Sequence, residues 1–242
     1  MELNICHLYP DILNLYGDRG NIITMKRRLE GRGIKVNIDE CSIGQPLNAD
    51  KYDIFFIGGG QDFEQEVLLR DLSSGKAQDI RTAVEEEKTF LAICGGYQML
   101  GEYYKTWDGV QLDFIGAIGV HTIGAKERMI GNYMFSCEEA GCNIVGFENH
   151  SGKTYLGSGV RPLGRVLEGS GNNGEDGTEG ARYKNVFASY SHGCLLPKNP
   201  KLADLILQTA LERKYGALTL PSLPDTLETA AHTYMENRLT HK

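Results

Sequence analysis

Short apolar runs alternate with amphipathic helical patterns through the first hundred residues. Four runs predict strands, at residues 3–9, 34–38, 54–57 and 90–93. Helical patterns lie between them at residues 21–32, 63–72 and 76–87. The third and fourth runs are wholly apolar, as expected of strands that are covered on both faces. This alternation predicts an α/β fold in which a mostly parallel central sheet is flanked by helices.

The pattern changes after residue 107, where helical periodicity fades and glycine becomes frequent. Strand-like runs stand at residues 115–120, 132–135, 144–147 and 186–189. Residues 169–180, GSGNNGEDGTEG, are polar and glycine-rich, which predicts a mobile surface loop. Helical patterns return at residues 201–214 and 224–239. No repeat or linker divides the chain, so we predict one domain over residues 1–242, with room for a C-terminal helical appendage at residues 218–242.

Composition removes several classes of protein. The chain has 25 Lys and Arg against 32 Asp and Glu, a net charge of −7, which argues against a nucleic-acid partner. A hydrophobic fraction of 41% is enough for a packed core. Because no run of 18 apolar residues and no leader-like N-terminus is found, we expect no membrane insertion and a cytoplasmic location.

Six cysteines are scattered along the chain without a CxxC pair. In a chain of this size without a leader, they are expected to be free thiols rather than a disulfide framework. Cys137 and Cys142 could form half of a metal site, but no second pair has ligand spacing. No metal site is therefore predicted.

The segment with the clearest chemistry is LAICGGYQMLG, residues 91–101. An apolar strand leads directly into Cys94, two glycines follow, and a helix begins, which is the arrangement of a nucleophile elbow. Such a turn requires small residues two before and two after the nucleophile, as Ala92 and Gly96 are. The thiol then lies at the carboxyl end of a parallel strand and at a helix N-terminus, where thiolate is favoured. We predict Cys94 as a catalytic nucleophile rather than a core cysteine.

A second glycine-rich strand end, FIGGGQD at residues 56–62, follows another apolar run. The backbone amides of Gly60 and Gly95 could together bind the oxyanion of a tetrahedral intermediate. Neither GxGxxG nor GxxxxGK[ST] is present, so no bound nucleotide is inferred.

A thiol nucleophile needs a base, which is sought among six histidines. His192 follows a strand-like run and lies far along the chain from Cys94, as partners that meet only in the folded protein often do. We predict that its imidazole takes the thiol proton and later protonates the leaving amine. His150, in the segment FENHSG, is the alternative base.

The glycine turn GGGQD, the elbow CGGYQMLG and the late SHG segment together resemble those of the class I, triad-type glutamine amidotransferases, in the branch that includes cobyric acid synthase. LNLYGDRGN at residues 13–21, VGFENHSG at 145–152 and YSHGCLLPKNP at 190–200 narrow the resemblance to glutaminase subunits of bacterial lipid II isoglutaminyl synthases. It implies that the chain hydrolyses L-glutamine through a thioester on Cys94. Ammonia would pass, in a heterodimer, to a Mur-ligase-like synthetase that uses ATP and Mg to amidate the lipid II stem peptide. No cofactor is expected in this chain.

The chain departs from the triad-type enzymes at the third member of the triad, as the branch similar to cobyric acid synthase tends to do. A Glu usually stands two residues after the histidine, where this sequence has Cys194. We therefore expect a Cys94–His192 dyad, with Glu148 as a candidate for orienting the imidazole. The resemblance assigns Arg128 to the substrate carboxylate, which a guanidinium fork matches. Gln98, one turn into the elbow helix, is a further candidate for substrate contact.

Other functions are also compatible with a nucleophile elbow at Cys94. A stand-alone Cys-dependent γ-glutamyl hydrolase would need no synthetase, and an amidotransferase subunit could serve another acceptor, such as a cobyrinic acid-type substrate. A non-catalytic subunit that senses glutamine would belong to a different class. The presence of Cys94, His192 and both glycine turns argues against this last interpretation.

Overall fold

The computed structural model of the protein describes residues 1–60 and 62–241. Its strands are β1 (Glu2–Leu8), β2 (Lys35–Cys41), β3 (Ile54–Ile57), β4 (Thr89–Ile93), β5 (Tyr103–Lys105), β6 (Gln111–Asp113), β7 (Val120–Cys137), β8 (Cys142–Leu156), β9 (Gly164–Glu168), β10 (Thr178–Glu179), β11 (Ala181–Tyr183) and β12 (Val186–Ser189). Its helices are α1 (Arg19–Glu30), α2 (Asp62–Asp71), α3 (Ala77–Glu85), α4 (Gly95–Leu100), α5 (Pro200–Tyr215) and α6 (Thr226–Thr240).

The central sheet has the strand order β11-β12-β4-β3-β1-β2. Its strands run parallel except β11, which pairs antiparallel with β12 at one edge. The three strands β3, β4 and β12 are buried over their whole length. The predicted α/β fold with a mostly parallel sheet is confirmed, and the carboxyl ends of its strands meet along one edge.

A second sheet, with order β10-β9-β7-β5-β6 and β8 paired to β7, was not predicted. Its main feature is the antiparallel hairpin of β7 and β8, of which the sequence pattern indicated only short pieces at residues 132–135 and 144–147. The strand predicted at residues 115–120 is wrong before Val120. There the backbone amides of residues 115–118 donate instead to carbonyls of residues 99–101, at the end of α4.

A wide bulge interrupts the β7–β8 pairing. Gly124 pairs with Gly152, whereas Met129 already pairs with His150, so residues 125–128 loop out of the ladder. A bulge redirects side chains and tightens the local twist of a strand. Here it carries Arg128 out of the sheet.

The loop predicted at residues 169–180 is not confined to the surface. Asn172, Asn173 and Glu179 are buried. The Asn172 side chain donates to the Gly180 carbonyl, and the Asn173 side chain donates to the carbonyl of Thr154 on β8. These polar side chains replace apolar ones in anchoring the loop, which is why its composition resembled that of a free loop.

The C-terminal helix α6 rests on the second sheet. Met235 and Leu239 pack against Met134 and Val145 in a small apolar cluster. The assignment of residues 1–242 to one domain, with residues 218–242 as an appendage, stays a prediction. In the described ranges no helix combines the length and apolar character that crossing a bilayer requires.

Candidate active site

Cys94 stands between β4 and α4 with φ 48° and ψ −104°. This is an unfavourable conformation for a residue that carries a side chain, and such conformations are concentrated at functional sites. The turn is tight because a Cβ on Gly96 would lie 2.6 Å from Ile57 Cγ2 and 2.8 Å from the Gly58 carbonyl oxygen. The strand, the turn and the helix confirm the nucleophile elbow.

A pocket of about 440 Å³ opens beside the thiol. Its lining consists of Leu15, Tyr16, Gly60, Cys94, Gln98, Arg128, Asn149, His150, Ser151 and Gly152. It therefore brings together most of the predicted site residues and is of a size that suits a small ligand. His192 and Gly95 do not line this pocket. A larger groove of about 1160 Å³ runs between α1 and β2, but its lining does not include Cys94.

His192 lies behind the elbow, with its ring completely buried. Its backbone N–H donates to the Phe147 carbonyl at 2.8 Å, which ties the segment after β12 to β8. Gly59 is the point of closest approach, since a Cβ there would lie 2.5 Å from His192 Cε1 and 3.4 Å from Cys94 Cβ. A glycine at this position is what allows the imidazole to lie next to the elbow.

Asp18, which sequence analysis missed, faces the same imidazole. Its carboxylate is completely buried, with Oδ2 3.4 Å from His192 Nδ1. Oδ2 also accepts the Gly59 N–H at 2.8 Å. Neither imidazole nitrogen makes a well-aligned hydrogen bond to a described residue. Catalytic hydrogen bonds are often long in unliganded sites and shorten when substrate binds.

The charge state of His192 follows from these neighbours. Burial alone lowers its pKa, but the negative charge of a Cys94 thiolate and the Asp18 carboxylate outweigh burial and raise the pKa to about 10. At neutral pH the raised pKa favours a protonated His192 when Cys94 is a thiolate. This is the activated form of a cysteine nucleophile.

Cys194, two residues after His192, contacts the segment that carries Asp18. Its Sγ lies 2.8 Å from the Gly17 carbonyl oxygen, and a Cβ on Gly20 would lie 2.3 Å from Sγ. The carboxylate beside the histidine thus comes from the N-terminal segment instead. An Asp immediately before α1 suggests an N-cap in the sequence, yet the Asp18 side chain makes no capping bond.

Glu148 does not contact His192. Its two oxygens accept the backbone N–H groups of Ser170 and Gly171 at 2.8 and 2.9 Å. Its nearest imidazole is that of His150, with Oε2 4.0 Å from Nε2. Asp18, and not Glu148, therefore lies close enough to His192 to orient its imidazole.

His150 lines the pocket but differs from His192 in charge. Burial lowers its pKa to about 4, so the ring is neutral at neutral pH and does not retain the thiol proton. Its Nδ1 lies 2.8 Å from the Gly152 carbonyl oxygen, and the ring stacks on Tyr190 with centroids 3.6 Å apart. The geometry favours His192 as the base.

Arg128 lies at the pocket mouth, where the bulge of β7 carries it. Its Nε and Nη2 donate to the Asn149 side-chain oxygen at 2.9 and 2.7 Å. Asn149 in turn donates to the Tyr16 hydroxyl. A guanidinium held at the rim in this way is placed to bind a carboxylate.

Gln98 and Gly60 line the pocket together with Cys94, and Gly95 directly follows Cys94 in the chain. The Gln98 side chain is buried and donates to the Tyr190 hydroxyl at 3.0 Å. The amides of Gly59 and Gly96 are engaged by Asp18 and by the Gly58 carbonyl. Gly60 directly follows Gly59, and Gly95 directly precedes Gly96. The role of Gly60 and Gly95 as oxyanion donors stays a prediction. Gln61, part of the predicted turn, lies outside the described residues.

The described residues contain no group of three or more His, Cys, Asp or Glu side chains with the geometry of a metal site. All six cysteines are free thiols, and Cys137 and Cys142 close the β7–β8 hairpin as a cross-strand pair.

Comparison with known proteins places the chain among glutamine amidotransferases. The model of the CobB/CobQ-like glutamine amidotransferase domain matches residues 4–200. The GatD subunit of the glutamine-hydrolysing lipid II isoglutaminyl synthase of Streptococcus pneumoniae is 42% identical over 228 residues, 93% of this chain and 87% of that protein. The GatD subunit of Staphylococcus aureus is 45% identical over 213 residues, 88% of this chain and 86% of that protein.

The fold has solved counterparts. A chain in the structure of PurLQS from Thermotoga maritima superposes with a TM-score of 0.58 and 17% identity, covering 88% of this chain and 99% of that one. At this identity the likeness concerns the fold alone. The match over residues 4–200 and the identity to the GatD subunits assign the family, and the chain belongs to the CobB/CobQ-like glutamine amidotransferases.

Proposed function

We propose that this chain is the glutaminase subunit of a lipid II isoglutaminyl synthase, hydrolysing L-glutamine to glutamate and ammonia for a synthetase subunit. One observation carries the chemistry: the strained Cys94 shares a buried cluster with His192 and Asp18 beside a pocket of about 440 Å³. The identity to GatD subunits over most of both chains supports the choice of acceptor.

The first half-reaction forms a thioester. His192 takes the Cys94 proton, and the resulting thiolate attacks the carboxamide carbon of glutamine. The Gly60 and Gly95 amides donate to the resulting oxyanion. His192 then gives its proton to the amide nitrogen as the C–N bond breaks, which leaves a γ-glutamyl thioester and neutral NH₃. Asp18 stabilises the imidazolium and fixes its orientation.

The second half-reaction restores the enzyme. His192 takes a proton from water, and the resulting hydroxide attacks the thioester carbon. The C–S bond breaks, glutamate is released, and the sulfur regains a proton from His192. Arg128 binds the α-carboxylate of the substrate throughout, and Gln98 contributes a polar wall close to the thiol.

The ammonia is consumed by a Mur-ligase-like synthetase that forms a heterodimer with this chain. That subunit binds lipid II, ATP and Mg, and it converts the D-glutamate carboxylate of the stem peptide to the amide. This chain requires no cofactor for its own half of the reaction, since a thiolate and an imidazolium supply the chemistry.

Ammonia release from L-glutamine, measured with and without the synthetase, tests this function. Cys94→Ala and His192→Ala are expected to abolish release, whereas the control Cys142→Ala, a thiol outside the pocket, retains it. Hydroxylamine added during turnover should yield γ-glutamyl hydroxamate from the thioester. If the wild-type chain releases no ammonia in either condition, the glutaminase function is refuted.

A further inference from the structure

We infer that ammonia leaves the Cys94 pocket inward, past His150 and Glu148, into a second pocket where the synthetase receives it. This inference rests on the proposed glutaminase function. It specifies the route of the product and the face of the molecule where that product emerges.

The second pocket has a volume of about 470 Å³. It is lined by Ile130, Gly131, Asn132, Glu148, Gly169, Ser170, Arg238 and Leu239. His150 belongs to the wall of the first pocket, Glu148 belongs to the wall of the second, and His150 Nε2 lies 4.0 Å from Glu148 Oε2. The two cavities therefore approach each other at this polar pair.

His150 presents an unused acceptor at this junction. Its Nδ1 faces the Gly152 carbonyl oxygen and so carries the ring hydrogen, which leaves a lone pair on Nε2. The side chain is only 3% exposed, and Nε2 has no hydrogen-bond partner among the described residues. A buried acceptor without a partner is unfavourable and calls for a ligand. Ammonia, a small neutral donor of three N–H groups, satisfies it.

Glu148 provides the next acceptor. Each carboxylate oxygen accepts one backbone N–H, from Ser170 and Gly171, which fixes the group and leaves a further lone pair on each oxygen. Ammonia passing from Nε2 to Oε2 thus exchanges one hydrogen bond for another over 4.0 Å.

The chemistry of the first half-reaction blocks the alternative route, from the pocket mouth directly to solvent. When NH₃ is released, the glutamyl group is still bonded to Cys94, and its α-carboxylate is held by Arg128 at the pocket mouth. The acyl group therefore occupies the path to solvent at the moment the amine departs. His150 lines the same pocket and is buried, so the remaining way out passes its side chain.

The second pocket opens beside the last turn of α6, at Arg238 and Leu239. Ile130 on its rim is 61% exposed, which is unusual for an isoleucine. Since ammonia that emerges here is lost unless a subunit covers the opening, we place the synthetase over this pocket.

Blocking the route in the intact heterodimer tests the inference. Asn132→Trp fills the second pocket from an exposed position, and His150→Phe keeps the ring on Tyr190 but removes the Nε2 acceptor. Gln111→Trp, exposed on β6 of the same sheet and outside both pockets, is the matched control. The readout is the amidated product formed per glutamate released, compared with amidation driven by added ammonium chloride.

We expect Asn132→Trp and His150→Phe to lower the product-to-glutamate ratio about tenfold, with the missing ammonia recovered in solution. Ammonium-driven amidation and the ratio for Gln111→Trp should match wild type. If Asn132→Trp prevents heterodimer formation, judged by size-exclusion chromatography, His150→Phe decides, because that side chain is buried. An unchanged ratio in His150→Phe overturns the route, whereas a wild-type heterodimer that forms no glutamate refutes the glutaminase function itself.

Discussion

Asp18 supplies the negative charge that the triad position after the histidine lacks. The residue two positions after His192 is Cys194, whose sulfur lies against Gly17 and cannot stabilise an imidazolium. Asp18 Oδ2 lies 3.4 Å from the imidazole nitrogen Nδ1, and the hydrogen bond that it accepts from the Gly59 amide fixes the carboxylate. The charge requirement of the reaction is thus met from a different part of the chain.

Replacing Asp18 with Asn separates charge from shape. The Asn oxygen can still accept the Gly59 N–H, but the imidazolium loses its counter-charge and its preferred tautomer. We expect kcat for glutamine hydrolysis to fall by about 10²–10⁴, and the acid limb of the pH profile to move because the pKa of His192 falls. Asp11→Asn, at an exposed carboxylate bonded to Ser42, is the control. A wild-type kcat in Asp18→Asn would show that Asp18 does not contribute to catalysis.

At the scale of elements, the sequence was informative where each strand is buried on both faces. Wholly apolar runs located β3 and β4, and the demand for small residues around Cys94 located the turn between β4 and α4. These features depend on local sterics and burial, so a few consecutive residues are enough to predict them.

The β7–β8 hairpin shows why the rest could not be predicted. Its alternation is interrupted by the bulge between Gly124 and Met129, and buried polar residues such as Glu148 occupy positions where a pattern would require apolar ones. Their partners are backbone amides of residues 170 and 171, far away in sequence. The approach of Asp18 to His192 is likewise a product of topology and leaves no local pattern.

Arg28 joins three separate elements. From α1 its guanidinium binds both oxygens of Asp204 on α5, at 2.7 Å each, and both oxygens of Asp225 before α6, at 2.6 and 2.9 Å. The guanidinium is almost buried, whereas the two carboxylates are about one-quarter exposed. Bidentate pairs of this kind bind more strongly than single contacts.

We expect Arg28→Ala to lower the free energy of unfolding by about 2–3 kcal/mol, below the range for a fully buried pair because the two carboxylates retain some solvent. Arg27→Ala, an exposed neighbour on the same helix, should change it by about 0.5 kcal/mol or less. Urea denaturation followed by circular dichroism measures both. Equal stabilities of the two variants would show that the cluster does not hold α5 and the C-terminal segment to α1.

For the whole molecule, buried titratable groups set the dependence of stability on pH. Burial lowers the pKa of His7 and of His150 to about 4. Burial raises the pKa of Glu179 to about 7, and the charges of Cys94 and Asp18 outweigh burial to raise that of His192 to about 10. The two lowered histidines destabilise the fold in acid. Glu179 and His192 bind their protons more tightly in the folded chain, so they lower the free energy of unfolding as the pH rises. Glu179 does so from about pH 4.5 to 7, and His192 does so from about pH 6.5 to 10.

The contribution of His150 can be isolated by difference. Between pH 6.5 and about 4 the unfolded chain binds a proton at this residue that the folded chain does not, so stability falls as the pH falls. We expect His150→Gln to reduce the slope of unfolding free energy against pH by about 1.4 kcal/mol per pH unit in this interval, the value for one proton. His241→Gln, at an exposed position beyond α6, is the control and should retain the wild-type slope. Urea titrations at half-unit steps of pH give these slopes, and a His150→Gln slope equal to wild type would mean that the folded protein binds this proton as readily as the unfolded chain does.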